Sequence, residues 1–234
     1  MGGIAVTADA IDSVGIDEAR RILDGEGVLV SSYMGAGIIL QDDGGRQSLD
    51  ETARHLEAAA QLGAPAALVV TGALGGLDPR EADAVCREWL TGAAAIAAEC
   101  GIQVMLEPIH PLMRHLSFVH TLAHGLALVE DIDSAGVVLD VGHVWWERDL
   151  DVLVRDNVAE IVSVQLTNVD SQALENFRYE RSPLQSGDVP VAALVRMLES
   201  FGYRGWYEEE VLVRSRRDER LDMLRASREW FDAL

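Results

Sequence analysis

Hydrophobic and polar positions along this chain fall into two alternating kinds of run. Short, nearly unbroken apolar stretches recur at Gly3 to Thr7, Val28 to Tyr33, Ala66 to Thr71, Ile102 to Glu107, Gly136 to Asp140, Ile161 to Thr167 and Gly205 to Val211. Apolar runs of this length read as strands buried on both faces, the condition of a parallel sheet. Helices are predicted between them, at about Ile16 to Asp24, Ser48 to Gly63, Pro79 to Cys100, Thr121 to Glu130, Asp149 to Asp156 and Val189 to Phe201, with a charged closing helix from Asp218. Ser48 with Glu51 three positions on forms a capping box, Ala53, Leu56, Ala60 and Leu62 supply an apolar face, and Gly63 and Gly101 are stop signals. Only the polar segment Asn168 to Asp188 carries few periodic signals.

Regular alternation of short strands with helices is the signature of an α/β protein with a parallel sheet, and its repetition favours a barrel over an open sheet. With 234 residues, 49% of them hydrophobic, and no linker-like stretch, residues 1–234 form a single domain with one core. Seven strands can be named, whereas a closed (β/α)8 barrel needs eight. The expectation is therefore a TIM barrel in which either the first βα unit is missing, leaving it incomplete, or the strand assignment at the amino terminus is wrong. An unpaired first strand leaves an edge and apolar surface that proteins cover, so a homo-oligomer is expected.

Charge narrows the partners. The net charge of -20, from 39 acidic and 19 basic residues, repels phosphate backbones and anionic surfaces, so neither nucleic acid nor membrane is an expected partner. No signal pattern opens the sequence, and AALVVTGALGGL is too short and too Gly-broken to span a bilayer; a cytoplasmic location is expected. Cys86 and Cys100 fall in one predicted helix, roughly 21 Å apart along its axis, which rules out a disulfide between them.

Candidate chemistry collects at the strands' carboxyl ends, where α/β proteins place their sites. The runs finish as MLEPIHP, LDVGH, SVQLT and WYEEEVL. Alternation along a strand allows Glu107, Asp140, Gln165 and Glu210 to point inward near one rim. Glu208 shares the side of Glu210 and is an alternative to it. Three converging carboxylates repel unless a cation joins them, and oxygen-rich donors favour Mg2+ or Mn2+, with Co2+ and Zn2+ as further candidates. His110 and His143 sit just past strand ends, where they can contact substrate. Trp145 and Trp146 either wall a pocket or pack into the core.

At these residues the sequence resembles the xylose-isomerase-like TIM barrels of the sugar phosphate isomerase and epimerase superfamily. The resemblance rests on Leu106-Glu107-Pro108, Asp140-Val141-Gly142-His143, Gln165, and the turn Gly202-Tyr203-Arg204-Gly205 followed by Glu210. It spans almost the whole chain and is densest between Glu107 and Glu210. It implies Glu107, Asp140, Gln165 and Glu210 as metal ligands, Gln165 standing where a His is commoner. Glu107 and Glu210 are implied as acid and base, with His143 and Arg181 orienting the substrate's oxygens; His110, Trp145 and Glu208 are substrate-contact candidates by their positions at the strand ends. The implied activity is metal-dependent isomerisation or epimerisation of a sugar, keto-inositol or similar polyhydroxy carbonyl compound through a metal-stabilised enediolate. Alternatives are a dehydroshikimate-dehydratase-like lyase and a non-catalytic binding or assembly protein. Substrate choice is expected to lie in the loops Met34 to Arg46 and Gln172 to Gln185.

Overall fold

The computed structural model describes residues 2–41, 45–170, 180–210 and 217–234. Parts of the two loops expected to set substrate choice, and Val211 at the predicted end of the last strand, lie outside the described residues. In chain order the elements are β1 (Gly3–Thr7), α1 (Ala8–Val14), α2 (Ile16–Glu26), β2 (Leu29–Ile38), α3 (Leu49–Gln61), β3 (Ala66–Val70), α4 (Pro79–Cys100), β4 (Gln103–Leu106), α5 (Leu122–Val129), β5 (Ala135–Asp140), α6 (Val141–Val144), α7 (Leu150–Asp156), β6 (Ile161–Leu166), β7 (Asn168–Val169), β8 (Arg181–Ser182), α8 (Val191–Ser200), β9 (Trp206–Glu209) and α9 (Arg217–Asp232). Seven strands pair in the order β1-β2-β3-β4-β5-β6-β9, every pair parallel, as a nearly closed barrel with helices interleaved. The small antiparallel pair β7-β8 lies apart from that sheet and occupies the segment whose sequence carried no period.

Three local differences from the sequence reading have physical causes. β2 runs on to Ile38 because the side-chain oxygen of Gln47 accepts the Ile38 N–H and its amide donates to the Ala36 carbonyl, holding the strand open past Gly35. α1 forms before Gly15, capped by Thr7, whose hydroxyl accepts the Ala10 N–H. Ser48 caps α3 through the N–H of Asp50, so the cap forms without the N–H of Glu51 that a capping box uses. Cys86 and Cys100 are free thiols on α4, the first buried and the second half-buried.

Burial divides the sheet into two faces. The outward face and the helices build the large core, in which Tyr33, Leu56, Trp89, Leu106, Leu139, Val164 and Leu198 are among the fully buried side chains. The inward face holds a much smaller apolar plug of Ala66, Leu68, Met105 and Val138. In-register neighbours on adjacent parallel strands point the same way. Leu68 is opposite Met105, Val138 opposite Ser163, Asp140 opposite Gln165, and Gln165 opposite Glu208. The plug therefore fills the barrel on one level, and polar side chains crown it at the carboxyl ends.

Between β1 and β9 no strand pairing among the described residues closes the ring. The Trp206 indole lies over the Gly3 backbone there, where an added Cβ would come within 3.0 Å of the ring. Ile4 faces the helix side, in register with core residue Val30, yet it is 50% exposed, and neighbouring Leu29 is 48% exposed.

Candidate active site

Each member of the polar crown is positioned by a separate element. Glu107 follows β4, its N–H held by the Val69 carbonyl of β3. The loop after it is tied down by Thr71, whose hydroxyl meets Ser117 Oγ at 2.8 Å and accepts the Phe118 N–H. Gly125 of α5 lets Pro108 approach; a Cβ there would lie 2.8 Å from the proline ring. Asp140 ends β5 and caps the single turn of α6, accepting the Gly142 N–H at 2.8 Å. That turn carries His143 back over Asp140, with Nε2 3.5 Å from Asp140 Oδ2 and 3.7 Å from Glu107 Oε1. Glu107, Asp140 and His143 are all buried and offer ligand atoms lying within 4.8 Å of one another.

On β9 alternation decides which glutamates face inward. Glu209 accepts a hydrogen bond from Ser227 Oγ of α9 at 2.5 Å and so points outward, which turns Glu208 and Glu210 toward the interior. Arg181 of β8 reaches the same place from the hairpin. Its Nη2 donates to Asp140 Oδ2 at 2.5 Å and lies 3.2 Å from His143 Nε2, while Nη1 lies 3.1 Å from Glu210 Oε2 and donates to the Glu210 carbonyl at 3.0 Å. The hairpin is held by Asn168, whose amide donates to the Leu184 and Val189 carbonyls and whose Oδ1 accepts the Val189 N–H. Gly187, at φ +143°, lies where a Cβ would collide with the Asn168 side chain.

The electrostatics follow from this packing. Burial raises the Glu107 carboxyl well above the ordinary 4.5, and the nearby Glu210 and Asp140 charges add to the rise. Burial also lifts Glu210 to about 8, against the pull of Arg181 and with repulsion from Asp140. For Asp140 burial acts upward too, but Arg181, His143 and the Gly142 N–H outweigh it, so its carboxyl lies below the ordinary value. Burial drops His143 to about 4, against the attraction of Asp140, leaving the ring neutral at pH 7. Among the described residues the crown thus has one guanidinium sharing space with more carboxyl groups than it can pair.

Several buried oxygens in the crown have no hydrogen-bond partner among the described residues: Gln165 Oε1, both carboxylate oxygens of Glu208, and Ser163 Oγ. Such groups are costly to bury unsatisfied. Gln165 and Glu208 are adjacent rungs in the register that leads to Asp140. An oxygen-lined, electron-rich recess of this kind fits a hard divalent cation by its donor chemistry.

The residues expected at the site come together in part differently from the expectation. Glu107 and Asp140 converge, with His143 as their third neighbour inside the 4.8 Å grouping, whereas Glu210 is joined to Asp140 through Arg181. Gln165 is one strand over from Asp140. Trp145 packs against the helix-side core, and Trp146 stands at the rim, 41% exposed, with His110 beside it. Sequence reasoning overlooked Thr71, Ser117 and Asn168, which fix the loops; a buried Thr at a strand end before Gly is the only local sign any of them leaves. His143 could have been read as a neighbour of Asp140 from its i,i+3 spacing alone.

The family model for the xylose isomerase-like TIM barrel matches residues 3–234. The chain belongs to that family. No curated protein matches it. Among solved structures, a protein from Sinorhizobium meliloti 1021 superposes with a TM-score of 0.87 at 23% identity, covering 100% of this chain and 88% of that one. The apo 3-keto-D-glucoside 4-epimerase of E. coli gives 0.78 at 20% identity, covering 98% and 89%. The IOLI protein, in a structure with a bound zinc atom, gives 0.79 at 15% identity, covering 96% and 85%. At these identities the likeness speaks for the barrel and its strand order. In this xylose isomerase-like chain no helix among the described residues is long and apolar enough to cross a membrane.

Proposed function

We propose that this protein is a divalent-metal-dependent isomerase or epimerase of a sugar, keto-inositol or similar polyhydroxylated carbonyl compound. The observation that carries the reading is Gln165 Oε1, which has no partner among the described residues and lies in register with Asp140, itself converging with Glu107 and His143 and sharing Arg181 with Glu210. The sequence contains no lysine, its 19 basic residues all being arginine, so a Schiff-base route to the same chemistry has no amine to use. Glu107, Asp140, Gln165 and Glu210 would hold the ion, with His143 next to it, and when bound it supplies Lewis-acid polarisation of a carbonyl and its neighbouring hydroxyl. Oxygen donors favour Mg2+ or Mn2+, and the zinc of the IOLI structure keeps Zn2+ in the panel to be tested.

The chain's own groups then divide the work. Glu107 and Glu210 stand on strands separated by β5 and β6, so their carboxyls address a molecule in the mouth from two sides. Carboxylates on two sides of a bound molecule suit one to remove a proton beside the carbonyl and the other to return one. Arg181 keeps Asp140 ionised and fixes Glu210 by both its carboxylate and its carbonyl. Neutral His143 orients a substrate oxygen without carrying charge. The 3-keto-D-glucoside 4-epimerase among the structural neighbours acts on a molecule of this chemical kind, which supports the substrate class.

The test is solvent deuterium exchange over ketoses, keto-inositols and hydroxypyruvate, with dehydroshikimate as control. Metal-dependent incorporation beside the carbonyl, cut on the order of 10²- to 10⁴-fold by Glu210→Gln, is the expected result. Water loss from dehydroshikimate without any sugar exchange would instead make the protein a lyase.

A further inference from the structure

We propose that Trp146, set in a corner with His110 at the rim of the crown, is a stacking wall that selects substrates presenting an uncharged sugar-like ring. The inference rests on the function proposed above for its location and extends it to the shape and charge of the substrate. An exposed large side chain is ordinary on a protein surface when it is loose and isolated. Trp146 is neither. Its Nε1–H donates to the His143 carbonyl at 2.8 Å, so the indole's one polar atom is already satisfied and its orientation is tied to the residue that overlies Asp140. The next residue, Glu147, accepts the Leu122 and Ala123 N–H groups at 2.6 and 3.0 Å, capping α5 and pinning the backbone that carries the ring. The neighbouring Trp145 is meanwhile packed against the core. A hydrophobic ring fixed by two anchors and left 41% exposed beside the charged site is a surface prepared for a ligand face.

His110 supplies the second wall. Its ring centroid lies 6.0 Å from that of Trp146, with the planes at 81°, so the two rings stand nearly perpendicular. His110 Nδ1 accepts the Leu112 N–H, which holds the imidazole in place beside the indole. A fixed apolar face suits a chair-form ring, which offers a flat face of C–H groups to stack on it. An open-chain polyol keeps no such face. Nor does the crown suit a phosphate or carboxylate on the substrate. The cation that enters it among the described residues, Arg181, is bound to Asp140 and Glu210, and the remaining side chains there are carboxylates, an amide and neutral imidazole.

The experiment is calorimetric titration of the metal-loaded protein with three probes: methyl α-D-glucopyranoside, sorbitol and glucose 6-phosphate. The expected result is tighter binding of the methyl glucoside than of either other probe. Trp146→Ala should weaken glucoside binding at least tenfold, Trp146→Phe should keep most of it, and metal content and Tm should stay unchanged in both variants. Sorbitol binding should be indifferent to either substitution. Glucoside binding unchanged in Trp146→Ala, equal loss of all three probes, or glucose 6-phosphate binding as tightly as the methyl glucoside would each overturn the inference. Deuterium exchange retained alongside such an outcome would leave the proposed reaction standing. Ring binding that depends on Trp146 in a protein that takes up no metal would do the reverse.

Discussion

The barrel has a tight side and an open side, and they are built from the same kind of strand. From β4 to β6 each strand is hydrogen-bonded on both edges, its outward residues are buried by helices, and its carboxyl end contributes to the crown. At the seam, β1 and β9 each lack one neighbour, Trp206 spans the gap by side-chain contact, and Ile4 remains half exposed on the helix side. The difference teaches where this fold can spend unfavourable electrostatics. Buried carboxylates of like charge are tolerated where backbone pairing and helix packing over-determine their positions, and none of the crown's cluster of Glu107, Asp140 and His143 comes from the two-strand edge at β1 and β2.

Perturbations of the tight side should have the largest effects. In Asp140→Ala we expect divalent metal uptake, one ion per chain in the parent after dialysis against Mn2+, to vanish, and with it the rise in Tm that metal gives; elemental analysis and thermal scans with and without metal check this. Equal metal content in parent and variant would remove Asp140 from the ligand set. Next in size is Arg181→Gln. It strands the buried Asp140 charge, a loss of about 3–5 kcal/mol for removing one partner of such a pair, read by urea unfolding of the metal-free protein. Metal should restore part of that stability, because a second cation can replace the first.

A pH series sharpens the same contrast. An unfolded glutamate ionises near its ordinary 4.5, whereas folded Glu210 holds its proton to about 8. Between those values the folded state carries a proton the unfolded state has lost, so rising pH weakens the metal-free fold by about 1.4 kcal/mol per unit for such a group. Glu107 acts in the same direction. His143, lowered to about 4 from 6.5, acts oppositely but only between those two values, since there the unfolded ring takes a proton that the folded one refuses. From pH 6.5 to 8 the glutamates act alone, and the metal-free protein should lose stability across that window. Saturating metal, which favours the ionised carboxylates, should flatten the slope.

The smallest expected effects belong to the seam. Trp206→Ala should cost about 1–2 kcal/mol and leave metal uptake unchanged, as is usual for a partly buried side chain away from the crown. We further propose that the exposed helix-side surface at Ile4 is covered by another subunit. Sedimentation should show an oligomer that Ile4→Asp dissociates, and a well-folded parent monomer at micromolar concentration would refute that assembly.

Much of this was legible in the sequence because period and punctuation are local. The seven apolar runs became the seven barrel strands, and alternation alone suggested an inward direction for Glu107, Asp140, Gln165 and Glu210, with Glu208 on the side of Glu210. What could not be read depends on contacts made across the chain. Nothing near Arg181 announces that a two-residue hairpin will carry it to Asp140, 41 positions earlier. The division of labour between Trp145 and Trp146 depends on α6 being one turn long, so that the first indole rotates into the core and the second to the rim. The half-closed seam was visible as a missing strand, but its plug, Trp206 against Gly3, joins residues two hundred positions apart.

The row Asp140, Gln165, Glu208 has a consequence for how such a site can change over generations. Because the three are register partners on successive strands, their spacing is set by backbone hydrogen bonds and owes nothing to which side chains occupy them. A single codon change at one rung can swap an imidazole for an amide, or a carboxylate for either, and present a new donor atom at the same address. An inserted residue within one strand would instead turn its later side chains to the opposite face, taking its rung out of the row. Barrels of this kind are therefore free to explore ions and substrates by substitution, while insertions are confined to the loops beyond the strand ends.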